Sequence, residues 1–223
     1  MPYLIAYSMI YPVWALVVAP VYKLWLRGVE GLENVPFEEP FIIAANHSSY
    51  YDALLLHFII MPKINKKIHA FVNNSYWKIP IVKYILESGE CIPVFLKKGS
   101  DSRKNNEIAF KRALNYLNKN EPVEIFPEGT RSHDGKLKKG YTGIAKLALK
   151  SKVPVLPVGI IDANKVLPVG KAFPRFVRCE VNIGKPIYFE KYHNKEINNK
   201  LLEEATRNIM KQIAKLIGQK YSY

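Results

Sequence analysis

The sequence predicts a single α/β domain, with a mixed, largely parallel sheet flanked by helices, behind an apolar N-terminal helical segment that binds membrane. Three observations predict this. Short apolar runs alternate with stretches of helical periodicity from residue 41 onward, the pattern of a sheet covered on both faces. The 223 residues contain no internal repeat, low-complexity tract or interdomain linker, and their number suits one domain with a real core. The stretch from Met1 to Tyr22 carries no charged side chain, unlike everything after it.

The elements follow in chain order. The uncharged stretch is long enough to span a bilayer, which takes about 20 apolar residues, but Pro12 and Pro20 interrupt it. Tyr3, Tyr7, Tyr11 and Trp14 recur at spacings of four, four and three, along one helical face. Tyr and Trp favour the membrane–water boundary, so a shallow anchor and a full span both stay open. A buried core helix is the alternative, and a secretory signal is not expected because the charged leader and small-residue cleavage site are lacking. Residues 1–27 are therefore expected to anchor and 28–223 to form the working domain. Phe41 to Ala45 is an apolar run; Asp52 to Met61 reads as a helix with Asp52 at its start. Ile68 to Val72 reads as a strand, Ser75 to Leu86 as a helix, Cys91 to Leu96 as a strand, and Ser102 to Leu117 as a helix. Val123 to Phe126 is a strand and Tyr141 to Leu149 a helix. Val153 to Ile161 and Val177 to Ile183 are strand-like. In the tail, Ile197, Leu201, Ala205, Ile209, Ile213 and Ile217 keep helical spacing between polar residues.

Composition narrows the function classes. Apolar residues make up 48% and charged residues 23%, which excludes a disordered chain. Lys and Arg number 33 against 19 Asp and Glu, a net charge of +14 that favours anionic partners: nucleic acid, anionic lipid or phosphorylated substrates. The lysines are spread along the chain and do not interleave with aromatics as a base-stacking platform does, so nucleic acid is not expected. Cys91 and Cys179 form no metal-ligand spacing, and no His-x-x-x-His pair occurs; no metal site is expected. His57 and His133 read as ordinary packed or loop histidines.

Two segments carry chemistry. In Asn46-His47-Ser48-Ser49-Tyr50-Tyr51-Asp52, a histidine and a carboxylate stand five residues apart at a strand-to-helix turn. In a continuous helix such positions diverge by about 140°; a turn lets the Asp52 carboxylate fold back onto one imidazole nitrogen. The other nitrogen is then free to accept a proton, the logic of a nucleophile-activating dyad. In open α/β sheets, such turns border the crevice beyond the strand carboxyl ends. The second segment, Phe126-Pro127-Glu128-Gly129-Thr130-Arg131-Ser132, suits anion binding: Gly129 permits close backbone approach, and Arg131 offers a planar fork matched to phosphate. Glu128 is expected to orient that guanidinium or to bind an acceptor hydroxyl, with Thr130 and Ser132 completing the cradle. Taken singly, each segment is also compatible with an exposed polar turn. No Gly-x-Ser-x-Gly elbow, phosphate-binding Gly-Lys-Ser/Thr loop or dinucleotide fingerprint is present.

Together these blocks resemble the glycerolipid acyltransferases, and most closely the lysophosphatidic acid acyltransferases. Asn46, His47 and Asp52 match the family's first block, and Phe126 to Ser132 its third in full. Val153-Pro154-Val155-Leu156-Pro157-Val158 is similar to the fourth, an apolar strand with proline. The second block is represented by Cys91-Ile92-Pro93-Val94, with Leu96 where the family places arginine. Lys97 or Lys98 next to it supplies charge without arginine's fork. The resemblance covers roughly residues 27–187 and implies a glycerolipid acyltransferase-like fold.

It also implies an activity: acyl transfer from a thioester donor, acyl-CoA or acyl carrier protein, to the sn-2 hydroxyl of 1-acyl-glycerol-3-phosphate. The implied roles are His47 and Asp52 in catalysis, and Glu128, Gly129, Thr130, Arg131, Ser132 and Lys97 in substrate binding. No cofactor is implied. The expected partners are the phospholipid bilayer, lysophosphatidic acid and the acyl donor. Lys23 and Arg27 after the anchor imply membrane association with the active site on the cytoplasmic side. The alternatives are glycerol-3-phosphate or another lysophospholipid as acceptor, or a non-catalytic basic membrane-binding module.

Overall fold

A computed structural model of the chain describes residues 24–96, 99–171, 173–192 and 195–223. Residues 1–23 of the anchor expected over 1–27, and Lys97 with Lys98, lie outside the described residues.

Seven strands form one sheet: β1 (Leu26–Glu30), β2 (Ile42–Ala45), β3 (His69–Asn73), β4 (Ile92–Val94), β5 (Val123–Ile125), β6 (Val155–Ile161) and β7 (Cys179–Ile183). Their order is β1-β7-β6-β2-β5-β3-β4. All neighbours run parallel except β6 and β7, so the sheet is mixed and largely parallel as expected. The helices are α1 (Asp52–Ile64), α2 (Pro80–Ser88), α3 (Ser100–Asn118), α4 (Gly143–Ser151), a short α5 (Ala163–Val166) and α6 (Asn199–Leu216).

Central β2 explains the layering. Its four residues are fully buried, and alternate side chains point to opposite faces. Ile42 and Ala44 join Val123 and Val155 under α3, α4 and α6, where Leu117, Ile144, Leu147 and Ile209 pack. Ile43 and Ala45 join Leu156, Val158 and Val181 under α1, where Leu55, Leu56 and Ile60 pack. A strand buried on both sides has no polar face, which is why β2 and β6 read as continuous apolar runs.

Three segments depart from expectation. The helix expected over Ser75 to Leu86 splits into a 3₁₀ turn (Asn74–Lys78) and α2. Pro80 begins α2 and holds Ile79 extended, at φ −99° and ψ 111°, so helical structure cannot run through it. Helix α1 continues past Met61 to Ile64 and closes on Asn65 in the left-handed conformation, whose N–H donates to the Met61 carbonyl. Strand β1 starts at Leu26 and pairs with β7, so the sheet begins two residues before the expected boundary between 1–27 and 28–223.

Candidate active site

β2 ends at Ala45, and the next residue continues its work. The Asn46 side chain donates to the Ile160 carbonyl (2.8 Å) and accepts from the Ile160 N–H (2.7 Å), extending the β2–β6 ladder by one amide. The chain then turns toward α1, and Asp52 opens that helix fully buried.

Asp52 Oδ2 is the hub of the turn. It lies 2.8 Å from His47 Nδ1 and accepts from the N–H groups of Ser48 (2.7 Å) and Ser49 (2.8 Å). Its place in the first turn of α1 sets a carboxylate at the positive end of the helix dipole. Nδ1 must carry its proton to meet the carboxylate, so Nε2 is left as the acceptor. The imidazole stacks on Phe126, with centroids 4.0 Å apart and planes at 19°, which fixes the ring as well as the tautomer. The two side chains expected to pair are thus in hydrogen-bond contact.

The two sequence blocks are also sewn to each other. Glu128, almost completely buried, accepts from the His47 N–H (2.8 Å) with Oε1 and from the Lys138 N–H (2.8 Å) with Oε2. The Ser132 N–H donates to the His47 carbonyl (2.7 Å). Burial pushes the Glu128 carboxyl up to about 7, against the pull of those two N–H donors. Two placements differ from expectation. Glu128 makes no ion pair with Arg131, and each of its oxygens accepts from a backbone N–H. Ser132 is buried, with its hydroxyl on Asp134 Oδ1 (2.9 Å), so it shapes the loop and does not face a ligand.

Gly129, Thr130 and Arg131 do face open space. Gly129 has φ +66°, and a Cβ there would come within 3.0 Å of the Tyr141 ring, so both its backbone and its neighbour require glycine. Arg131 is held by two tyrosines that carried no signal in the sequence: its guanidinium carbon lies 3.5 Å from the Tyr50 ring centroid, and one Nη donates to the Tyr76 hydroxyl (3.1 Å). Lys97 lies outside the described residues. Leu96 beside it is exposed at the cavity edge.

His47, Tyr50, Gly129, Thr130 and Arg131 border a cavity of about 810 Å³. From there it runs between α1, α2 and β3, lined mostly by apolar groups such as Leu54, Phe58, Met61, Val82, Leu86 and Ile125. His57 sits on this wall with Nε2 2.8 Å from Glu124 Oε2, a buried pair that sequence reasoning missed. Burial also pushes the carboxyl of Glu124 up. Cys91 borders the same cavity, and burial raises its thiol to about 12, which keeps it from acting as a thiolate nucleophile. Among the described residues, no cluster of three or more His, Cys, Asp or Glu side chains is arranged to hold a metal ion, and no helix is long and apolar enough to cross a membrane.

The His47 imidazole, the Arg131 guanidinium and the apolar cavity lie together, and among the described residues no carboxylate is within ion-pair distance of Arg131. Residues 27–161 match the Acyltransferase protein family, and the chain belongs to it. It is 30% identical over 181 residues to the chloroplastic 1-acyl-sn-glycerol-3-phosphate acyltransferase LPAT1 of Arabidopsis thaliana, covering 80% of this chain and 48% of that protein. It is 26% identical over 202 residues to the 1-acyl-sn-glycerol-3-phosphate acyltransferase of Bacillus subtilis (strain 168), covering 88% of this chain and 94% of that one. The chain spans about half the length of the plant relatives it matches. Its fold is similar to the crystal structure of the 1-acyl-sn-glycerophosphate acyltransferase PlsC from Thermotoga maritima. That likeness has a TM-score of 0.67 at 23% identity, over 97% of this chain and 92% of that one.

Proposed function

We propose that the protein transfers a fatty acyl group from a thioester, acyl-CoA or acyl carrier protein, to the sn-2 hydroxyl of 1-acyl-glycerol-3-phosphate, giving phosphatidic acid. The observation that carries the reading is the His47–Asp52 pair, with its basic nitrogen at the mouth of an apolar cavity and Arg131 beside it. His47 Nε2 takes the hydroxyl proton as that oxygen attacks the thioester carbonyl. A C–O bond forms and a tetrahedral oxyanion results. Its collapse breaks the C–S bond, and the departing thiolate takes the proton back from His47. Asp52 holds the imidazolium in place between the two transfers. Both cysteines are buried, with thiols raised to about 12, which favours direct transfer over an acyl-cysteine intermediate. Arg131 binds the acceptor's phosphate with Gly129 and Thr130 beside it; Lys97 is assigned to the same site only because it adjoins Leu96, at the family's arginine position.

The bilayer supplies the lysolipid, and residues 1–27 hold the domain against it, with the active site on the cytoplasmic side. The test is phosphatidic acid formation from lysophosphatidic acid by the detergent-purified full chain, with each thioester in turn. His47→Ala is expected to lower turnover by about 10²–10⁴-fold, and undiminished turnover would sink the mechanism. Product from glycerol-3-phosphate or another lysophospholipid, with none from lysophosphatidic acid, would reassign the acceptor; Leu96 at the family's arginine position favours including those arms.

A further inference from the structure

Arg131 is set differently from an arginine that serves stability. No carboxylate lies within ion-pair distance of it among the described residues, although it is half-buried beside the catalytic dyad. One face of its guanidinium rests on Tyr50, 3.5 Å from guanidinium carbon to ring centroid, and one Nη donates to the Tyr76 hydroxyl at 3.1 Å. Its own carbonyl is pinned by Lys138 Nζ at 2.7 Å, which fixes the backbone and adds a second positive charge. Stacking restrains the plane of a guanidinium and leaves its edge donors free. A single tether to a neutral hydroxyl restrains rotation in that plane without neutralising the charge.

The two tyrosines come from separate elements. Tyr50 belongs to the turn before α1. Tyr76 belongs to the 3₁₀ turn after β3, whose start is capped by Asn73 Oδ1 accepting from the Ser75 N–H at 3.0 Å. Both tyrosines and Arg131 border the same cavity. Burial raises the Tyr76 phenol above its ordinary value in spite of the neighbouring Arg131, so the hydroxyl stays protonated. A side-chain hydrogen bond with Tyr50 raises it too, so the two tyrosines that hold Arg131 are also tied to each other.

We propose that Tyr50 and Tyr76 are the positioning residues of the acceptor site, clamping Arg131 so that its free edge meets the acceptor's phosphate and making the site selective for a phosphate-bearing lysolipid over a neutral one. The inference rests on the acceptor reading above and deepens it. A guanidinium held in one rotamer before binding loses less conformational entropy when the phosphate arrives, so the clamp adds affinity without touching the reacting atoms.

The test pairs kinetics with donor-free binding, using the full chain in detergent as wild type, Tyr76→Phe, Tyr50→Leu and Tyr50→Phe, each checked for an unchanged melting temperature. Tyr76→Phe and Tyr50→Leu are each expected to raise the KM and Kd for lysophosphatidic acid about five- to tenfold, the scale of one ordinary net hydrogen bond or one cation–π contact. The KM for the thioester and kcat are expected to stay within about twofold, since the clamp acts on one substrate. Tyr50→Phe keeps the stacked ring and loses only the hydroxyl that meets Tyr76, so it is expected to lose less affinity than Tyr50→Leu. Selectivity over monoacylglycerol, which lacks the phosphate, is expected to fall by the same factor in the two weakened variants. Unchanged lysophosphatidic acid binding in both would overturn the inference, as would an equal loss for monoacylglycerol. A wild type that binds lysophosphatidic acid in preference to monoacylglycerol without acylating it refutes the proposed reaction, and the variants' Kd values still decide the clamp. A wild type without that preference overturns the clamp.

Discussion

Asp52 gathers three donors on one oxygen, and only one of them belongs to His47, the proposed base. Asp52→Asn separates the two jobs. The amide oxygen still accepts from Ser48 and Ser49, so the turn is expected to keep its shape, but a neutral group no longer stabilises the imidazolium or enforces the tautomer. The expected result is a fall in kcat of about 10²–10⁴-fold with a melting temperature close to wild type; steady-state kinetics beside a thermal melt checks both halves. This pair was legible because it is local: six residues of one turn contain the histidine and its partner. The support around it was not legible. Glu128 reads as a ligand-facing carboxylate until the fold shows that its two oxygens are taken by the backbones of His47 and Lys138. Tyr76 is separated from Arg131 by 55 residues, and an isolated tyrosine carries no pattern that announces a contact so distant.

At the scale of elements, hydrophobic periodicity carried the reading, and proline chemistry decided where it failed. The tail's spacing of four residues became α6, with Leu201, Ala205, Ile209 and Ile213 buried. The β1 segment was missed because Leu26–Glu30 is an edge strand with mostly exposed residues, including Arg27 and Glu30, and so offers no apolar run. The join between strand and catalytic turn also belongs to this scale. β2 and β6 pair in backbone register up to Ala45 and Val158, and the Asn46 amide then takes over at Ile160. Asn46→Ala removes both partners and leaves a buried N–H and a buried carbonyl with one interaction fewer each. Each such group costs about 1–3 kcal/mol when unsatisfied, so a loss of about 2–4 kcal/mol is expected in urea unfolding. Asn46→Asp retains the acceptor for the Ile160 N–H but sets a carboxylate against the Ile160 carbonyl, so it is expected to restore little. A loss under about 1 kcal/mol in Asn46→Ala would mean that the turn is held by the Asp52 and Glu128 contacts alone.

Over the whole molecule, buried titratable groups pull the pH dependence of stability in opposite directions. Burial raises the carboxyls of Glu124 and Glu128 in the folded state, Glu128 to about 7 against its ordinary 4.5. Their protonated forms favour folding below about pH 4.5, and that contribution is lost as pH rises toward 7. His69 is lowered from 6.5, first by burial, in spite of the Glu90 carbonyl and the Glu121 carboxylate beside it. Its contribution is therefore present above 6.5 and lost as pH falls below it. Glu90 is held below 4.5 by Lys67, which outweighs its own burial, so its contribution is lost only in more acid solution. Together these groups place maximum stability on the acid side of neutral, between about pH 4.5 and 7. Net charge complicates any single curve, because a chain already at +14 repels itself more as carboxylates protonate. The difference between two variants removes that common contribution. Glu128→Gln resembles the protonated carboxyl and does not titrate. Relative to wild type it is expected to gain about 3 kcal/mol of stability between pH 4 and pH 8, because each tenfold change in proton affinity is worth roughly 1.4 kcal/mol. Urea unfolding of both proteins at several pH values measures it. A difference that stays flat across that range would show that the two backbone donors offset burial and leave Glu128 at its ordinary value, so that at neutral pH the carboxylate is a fixed negative charge beneath His47.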